Sequence, residues 1–411
     1  MFYRNILNNG VIQKFISLLD SAYGNTSVEH SSTYFINTYS ELLSDIYTKD
    51  GEFDLHSFIA NAFLYDENDF SKNDFINENN SNLIGKDIAS LQFVCSISSR
   101  ELKQAALLSF ADDEDAVSII QSLPEWNSTI NSQKHFLLEQ ELEVSIKMLR
   151  DFYATKGYGI FATYGAFSYK NIDGVMMLEP IVNVDTIQTC DLKSYEYERS
   201  LVMNNTQDFL NGFEVNNMLL YGDRGTGKSS TIKAVFNALK SRGLRIVEIS
   251  KDNLTNFNML TKLISQSTLK FIIFIDDLNF SDDDENYSAL KAALDGGMAA
   301  RPKNAVIYAT SNRRHLVKEH FSEREDVNAS DNIQEKLSLA DRFGITVTFS
   351  SPDQKLYLKI VNELANDCDI KMTKEQLERG AVQWALTYNG RSPRAAKQYI
   401  NWLVADKKRQ G

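Results

Sequence analysis

The chain has 411 residues, which is enough for two or three domains, each with its own hydrophobic core. Its formal net charge of −12 argues against nonspecific coating of nucleic acid, so nucleic acid is a less favoured partner. The three cysteines are far apart and form no C-x-x-C pair, so neither a disulfide framework nor a zinc site is indicated. Because the sequence has no signal peptide core and no apolar run that could span a bilayer, we expect a cytoplasmic protein without a membrane partner.

The first 169 or so residues have apolar side chains at helical spacing. One segment, "FINTYSELLSDIY", places five of them on a single helix face: Phe35, Tyr39, Leu42, Leu43 and Ile46. A further helix is expected to begin near Asp112, because its acidic residues would lie at the positive end of the helix dipole. We therefore predict a mainly helical domain over residues 1–184 that recognises a partner or regulates assembly.

The composition changes near Gly157, where a short β-like passage, "YGIFATYGAFSY", begins. Strands and helices then alternate, from "NMLLYG" through "RIVEIS", "FIIFID" and "NAVIYATS" to "GITVTF". Short apolar strands separated by helices predict a parallel sheet with helices on both faces. From Ser351 onward only helices are predicted, with Ser351 as cap and Pro352 at the first helical position. The predicted fold is thus an α/β core over residues 185–350 and a helical lid over residues 351–411.

The stretch "YGDRGTGKSS" fits the phosphate-loop pattern G-x-x-x-x-G-K-[ST]. It lies directly between a predicted strand and a predicted helix, so backbone N–H groups can surround phosphate oxygens. In this pattern Lys228 reaches the β and γ phosphates and Ser229 binds Mg²⁺. The predicted nucleotide-binding residues are Gly222, Asp223, Arg224, Gly225, Thr226, Gly227, Lys228, Ser229 and Ser230.

Two carboxylates, Asp276 and Asp277, follow the apolar strand "FIIFI". Ligands bind beyond the carboxyl ends of strands in open α/β sheets, so we assign Asp276 to the metal ion and Asp277 to the attacking water. The alternative is a solvated acidic turn, since "SDDDEN" follows immediately.

Arg394 is predicted to lie in the first turn of a helix that has Ser392 as cap and Pro393 at the first position. The helix dipole disfavours a cation there, and a nearby anion would remove the conflict. Arg391 could share that anion or form an ordinary ion pair.

The order of these features resembles the AAA+ ATPases, a class of P-loop NTPases. The resemblance rests on the phosphate loop, "FIDDLNF", "YATSNRRHL", "LSLADRFG" and "GRSPRAAKQ", and it covers roughly Asp185 to the C-terminus. The residues of these motifs resemble those of one uncharacterised bacterial family of unknown function with an AAA-type ATP-binding core. The resemblance implies ATP and Mg²⁺ as ligands and a homo-oligomer that can form a ring, with hydrolysis at subunit interfaces.

The resemblance also assigns residue roles. It makes Asn312 a polar residue that orients the attacking water, although an Asn at the end of a strand is also a common turn residue. Arg342 resembles the arginine finger that reaches a neighbouring subunit's ATP, with a surface ion pair beside Asp341 as the alternative. Arg394 would contact the γ phosphate in the same subunit. Leu192 and Tyr195 are candidates to line the adenine base, or ordinary core residues.

Two positions depart from the AAA+ pattern: Asp277 replaces the usual Glu, and Ser194 replaces the usual Gly. The shorter acid makes slow hydrolysis an expectation. Three functions stay open at this point. They are an ATPase that remodels or regulates an unknown protein partner, which the acidic charge favours, a DNA-directed loader or transposition-helper ATPase, and a non-hydrolysing nucleotide switch.

Overall fold

The computed structural model describes the whole chain except residues 1, 25–30, 50, 73–77, 127–136, 138–140, 280–284, 296–301, 313–338, 340, 389 and 411. The chain divides into two compact units, Met1–Thr163 and Tyr164–Gly411. The predicted boundary between residues 184 and 185 lies within the second unit. That boundary and the one between residues 350 and 351 remain predictions.

The described part of the first unit is helical apart from one isolated bridge between Tyr47 and Phe53. It begins with a 3₁₀ helix, Arg4–Asn8. The α-helices that follow are α1 Gly10–Tyr23, α2 Ser32–Asp45, α3 Leu55–Leu64, α4 Asp69–Lys72, α5 Glu78–Ser96, α6 Ser99–Ser109, α7 Glu114–Ser122, α8 Leu142–Lys156 and α9 Gly159–Thr163.

Polar caps set where several of these helices begin. Asp113 caps α7 by accepting a hydrogen bond from Ala116 N, which confirms the helix start predicted near Asp112. Ser98 and Glu101 form a reciprocal capping box at α6. Such a cap stabilises a helix by about 1 kcal/mol, because it satisfies N–H groups that have no acceptor within the helix.

The predicted apolar face of α2 is buried, and it lies in an aromatic core. Tyr39 stacks on Trp126 with ring centroids 5.4 Å apart, and its hydroxyl donates to Pro124 O at 2.8 Å. Phe35 packs beside Tyr39 with their ring centroids 5.8 Å apart. The helical period read from "FINTYSELLSDIY" therefore predicted the buried face correctly.

The second unit contains a seven-stranded sheet of order β2-β1-β4-β5-β6-β3-β7. Its strands are β1 Ala166–Ile172, β2 Val175–Pro180, β3 Met218–Gly222, β4 Leu244–Ile249, β5 Lys270–Ile275, β6 Ala305–Ser311 and β7 Ile345–Phe349. All neighbouring strands are parallel except β1 and β2, which form an antiparallel hairpin. The α/β fold class predicted from the alternating segments is confirmed.

The central strands are buried on both faces. Every residue of β6 is buried, as is every residue of β5 after Lys270. Because successive side chains of a strand point to opposite faces, this pattern requires cover on both sides of the sheet. The phosphate-loop strand β3 lies between β6 and β7, so the ends of these three strands are adjacent.

Helices of the second unit precede, alternate with and follow the strands. Those in the sheet region are α10 Glu196–Leu210, α11 Lys228–Leu239, α12 Phe257–Ser265 and α13 Glu285–Asp295. The last three, α14 Gln354–Asp367, α15 Lys374–Thr387 and α16 Pro393–Gln410, form the lid around a core that includes Tyr357, Ile360, Ala381 and Ala396. No helix within the described ranges has the length and apolar character needed to cross a membrane.

Two local predictions are wrong. Helix α14 begins at Gln354 and is capped by Asp353, whose carboxylate accepts from Leu356 N at 2.7 Å, and not by Ser351. The N–H of Ser351 instead donates to Asp223 Oδ2 at 3.0 Å. In the β-like passage, the first part forms the short helix α9, and the strand begins only at Ala166.

Candidate functional site

The loop of residues 222–229, here called the phosphate loop, leaves the sheet where β3 and β7 end together. Gly222 has a φ of +139°, and a Cβ at this position would lie 2.0 Å from Phe349 O. Asp223 N donates to the same carbonyl at 3.2 Å. Only glycine fits there, because both the positive φ and the close backbone contact exclude a side chain.

The phosphate loop ends at the N-terminus of α11, with Gly227 as cap residue in the left-handed region at φ +99°. A Cβ on Gly227 would find no described atom within 4 Å, so this part of the loop faces open space. The N–H groups of Lys228, Ser229 and Ser230 lie in the first helical turn, where no acceptor exists within the helix. Such a turn is suited to binding an anion.

Lys228 is only 6% exposed and is held inside the loop. Its Nζ donates to Gly222 O and Asp223 O, each at 2.8 Å, and to Asn312 Oδ1 at 3.1 Å. Burial is the main cause that lowers the pKa of Lys228, and the nearby carboxylates, Asp223 first, partly oppose it. The charged amine is therefore fixed between the loop and the end of β6.

Asp276 and Ser229 bring two oxygen ligands together. Ser229 Oγ donates to Asp276 Oδ1 at 2.6 Å, although the two residues are 47 positions apart. Asp276 follows the last residue of β5, and Ser229 lies in the first turn of α11. A hydroxyl and a carboxylate are the oxygen donors that a hard cation such as Mg²⁺ prefers.

Asp277 has a left-handed backbone with φ +52°, which Asp tolerates better than most residues. Its Oδ1 accepts a hydrogen bond from Asn312 Nδ2 at 2.6 Å. Since the other end of the Asn312 amide accepts from Lys228, one side chain links the lysine to the second carboxylate. Asp277 and Asn312 therefore lie together at the carboxyl edge of the sheet.

Arg394 connects the lid to the phosphate loop. Helix α16 begins at Pro393, and Ser392 Oγ accepts from Ala395 N at 3.1 Å, so the predicted cap and helix start are confirmed. Arg394 N donates to Gly225 O at 3.2 Å. A Cβ on Gly225 would lie 3.1 Å from Arg394 Cβ, so the lid and the loop are in close contact.

A cleft of about 590 Å³ joins these elements within the second unit. All the predicted site residues line it except Gly222, Asp223 and Arg342. Arg391 does not line it either. This volume is in the usual range for small-molecule and cofactor sites, roughly 300–1,000 Å³.

Leu192 and Tyr195 also line this cleft. Ser194 and Tyr195 both have a φ of +60°, so the segment turns sharply before α10. The Tyr195 ring packs on the Phe349 ring with their centroids 5.5 Å apart, and the Tyr195 hydroxyl donates to Ser350 O at 2.6 Å. Burial raises the pKa of Tyr195 to about 12, so the phenol stays a neutral donor at physiological pH.

Arg342 forms an ion pair with Asp295 of the same chain and does not line the cleft. A surface ion pair was the alternative to the arginine finger, and the acid in this ion pair is Asp295 and not the adjacent Asp341. The role predicted for Arg342 at the ATP of a neighbouring subunit stays a prediction.

Sequence reasoning missed two contributions to the site. The sequence predicts Asp223 only as part of the nucleotide loop, yet its carboxylate accepts from Ser351 N at the start of the lid. Hydrogen bonds from Ser351, through its side chain first and its backbone N–H second, are the main causes that lower the pKa of Asp223. Thr310 was given no role, although its hydroxyl contacts both acidic residues. The only signal for Thr310 was its place in "YATSN", two residues before Asn312.

Residues 162–407 match the family described as protein of unknown function DUF815. This chain belongs to the DUF815 family. The prediction of a family of unknown function is confirmed, and the AAA+ resemblance stays a prediction. No curated protein matches the DUF815 chain.

Solved structures similar to the DUF815 chain include those of RuvB from Thermotoga maritima. One structure of a RuvB variant is 15% identical with a TM-score of 0.35, and the match covers 52% of this chain and 63% of that one. The structure described as RuvB Holliday junction branch migration motor is 13% identical with a TM-score of 0.33, covering 52% of this chain and 71% of that one. The DUF815 chain thus spans less than two thirds of the first of these relatives.

Proposed function

We propose that this DUF815 chain binds ATP with Mg²⁺ and hydrolyses it. The observation that carries the proposal is the meeting of three groups in one cleft. They are the buried Lys228 amine, the oxygen pair of Ser229 and Asp276, and the linked side chains of Asp277 and Asn312. Isothermal titration with ATP and a phosphate-release assay test it, and a folded chain that binds no nucleotide would refute it.

The binding role belongs to the phosphate loop. Lys228 and the first-turn N–H groups of α11 supply the positive charge and the donors for phosphate oxygens. Ser229 and Asp276 would hold Mg²⁺, and no cluster of three or more His, Cys, Asp or Glu that could bind a metal by itself occurs in the described ranges. The ion would therefore share its coordination with phosphate oxygens and water, where it neutralises charge that develops on the transferred phosphoryl group.

The hydrolytic role belongs to Asp277 and Asn312. A carboxylate at this strand end can accept a proton from an attacking water, and the Asn312 amide fixes the direction in which the carboxylate points. Arg394 lies on the lid side of the same cleft and supplies a cation for the γ phosphate. Closing the lid would then place Arg394 and exclude bulk water from the reaction.

The lowered pKa of Lys228 predicts a pH dependence of ATP affinity. Without ATP, burial disfavours the protonated amine of Lys228, whereas bound phosphate oxygens would favour it. ATP affinity should therefore fall as the pH rises through the lowered pKa of Lys228 in the free protein. We expect the Kd for ATP to rise with increasing pH at pH values below those at which an ordinary lysine titrates. Titrations at several pH values, with circular dichroism to verify folding, measure this. A Kd that stays constant up to pH 10 would contradict it.

We further propose that the DUF815 protein acts as a homo-oligomer in which Arg342 reaches the ATP of a neighbouring subunit. Arg342→Ala should then lower hydrolysis about 100-fold while ATP binding is retained, since one cation at a transferring phosphoryl group stabilises the transition state by several kcal/mol. Mixing Arg342→Ala with Lys228→Ala subunits should restore activity, because each variant supplies what the other lacks. Phosphate release by the mixed and separate proteins is the measurement.

Asp295→Asn is the matched variant for this prediction. If Arg342 serves only the ion pair with Asp295, both substitutions should cost the same small amount of stability and leave hydrolysis unchanged. Loss of hydrolysis in Arg342→Ala but not in Asp295→Asn would support the proposal that Arg342 acts on the ATP of a neighbouring subunit. A monomer with full hydrolytic activity would refute that proposal.

The proposed target of the ATP cycle is a protein partner that is remodelled or regulated. The chain's acidic balance supports this class over nucleic acid. DNA-stimulated hydrolysis that weakens steeply with salt would favour a DNA-directed loader instead.

A non-hydrolysing switch is the second candidate. The hydrogen bond from Asn312 favours the switch because it occupies one carboxylate oxygen of Asp277, and the Asp277 side chain is already shorter than the Glu usual at this position. ATP binding without measurable phosphate release would select the switch.

A further inference from the structure

Thr310 lies inside the carboxyl edge of the sheet, at the next to last position of β6. It is 2% exposed. Its Oγ1 donates to Asp276 Oδ1 at 2.5 Å and accepts from Asp277 N at 3.0 Å. One buried hydroxyl therefore contacts both acidic residues of the site.

The chemistry of a hydroxyl fixes the direction of these two bonds. Threonine has a single O–H proton, and an ionised carboxylate only accepts, so the proton must point to Asp276. The lone pairs of Oγ1 then remain for the N–H of Asp277. The β-branched side chain of threonine has few rotamers in a strand, which keeps Oγ1 in this orientation.

The backbone of Thr310 extends the same contact. Its carbonyl accepts from Leu278 N at 2.7 Å, directly after Asp277. The left-handed conformation of Asp277, at φ +52°, is thus held by a bond to its own N–H and a bond to the next N–H. Removing the hydroxyl would remove the nearer acceptor of the Asp277 N–H. The donors that remain to Asp276 Oδ1 would then be the Ser229 hydroxyl and the more distant N–H of Asp277.

We infer that Thr310 is a positioning residue of this site, one that orients the metal-binding oxygen of Asp276 and the backbone that presents Asp277. This inference rests on the proposed binding of Mg-ATP. Groups that hydrogen-bond a metal ligand typically change metal affinity by about 10- to 100-fold. Without the hydroxyl we expect weaker binding of Mg²⁺ to the nucleotide complex, with little change in nucleotide binding in the absence of magnesium.

The test compares Thr310→Val, which keeps the shape and removes the hydroxyl, with Thr310→Ser, which keeps the hydroxyl. Binding of a fluorescent, non-hydrolysable ATP analogue is titrated with Mg²⁺ in each protein. We expect Thr310→Val to need roughly 10- to 100-fold more Mg²⁺ for the same gain in affinity, and Thr310→Ser to stay near the wild type. Binding in EDTA should be similar in all three.

Ser311→Ala is the control, since Ser311 Oγ donates to Leu278 O at 2.8 Å and is likewise buried. Its magnesium dependence should match the wild type. An unchanged magnesium dependence in Thr310→Val overturns the inference, whereas a wild type that binds no nucleotide overturns the proposed function. If Thr310→Val does not fold, Thr310→Ala takes its place under the same expectations.

Discussion

Replacing Lys228 with alanine is expected to abolish ATP binding. The substitution removes the buried amine that lies within 3.1 Å of the loop carbonyls and Asn312, and with it the positive charge fixed at the start of α11. Each hydrogen bond from a charged group to a buried partner contributes about 1.5–3 kcal/mol, so two phosphate contacts predict a loss of at least about 100-fold in affinity. Isothermal titration of both proteins with ATP measures the change.

Lys233→Ala provides the matched control, because Lys233 lies in the same helix. Its amine is 3.7 Å from the carboxylate of Asp185, and its side chain is substantially exposed. The control variant should bind ATP as the wild type does. Equal affinity in Lys228→Ala and the wild type would refute the assignment of the phosphate loop.

Asp277→Asn is expected to stop hydrolysis while ATP binding persists. The amide cannot accept a proton from water, and general-base catalysis typically contributes about 100- to 10,000-fold to a rate. The fold should be retained, since Asn also tolerates the left-handed conformation and can still accept from the Asn312 amide. Phosphate release and ATP affinity, measured side by side, separate the two effects.

Asp173→Asn is the control here, because Asp173 has a similar φ of +53° in the turn between β1 and β2. It should hydrolyse ATP like the wild type. Undiminished hydrolysis in Asp277→Asn would show that another group activates the attacking water. The same variant, held with ATP, is suited to affinity capture of the partner on which the cycle acts.

The sequence predicted those parts of the molecule that depend on local patterns. The strands of the α/β core, the helix after Lys228 and the cap at Ser392 all follow from residues within a few positions of one another. The short apolar passage before Ala166 was harder, because a run of this length fits either a strand or a buried helix. Part of it forms α9 and the rest joins the sheet.

The errors arise where partners are distant in the chain. Both Ser351 and Asp353 are good cap residues; Asp353 caps the helix, and Ser351 N donates to Asp223, 128 positions away. Thr310 shows the same limit, since its role depends on which strand lies beside β5.

The residues that lead from β7 into the lid are held at two neighbouring points. Ser350 O accepts from the Tyr195 hydroxyl, and Ser351 N donates to Asp223 in the phosphate loop. A rotation of the lid about this segment must break these bonds or move Tyr195 and Asp223 with it. At about 1 kcal/mol each, the two bonds bias the lid orientation by a factor of roughly 30, which a ligand of ordinary affinity can reverse.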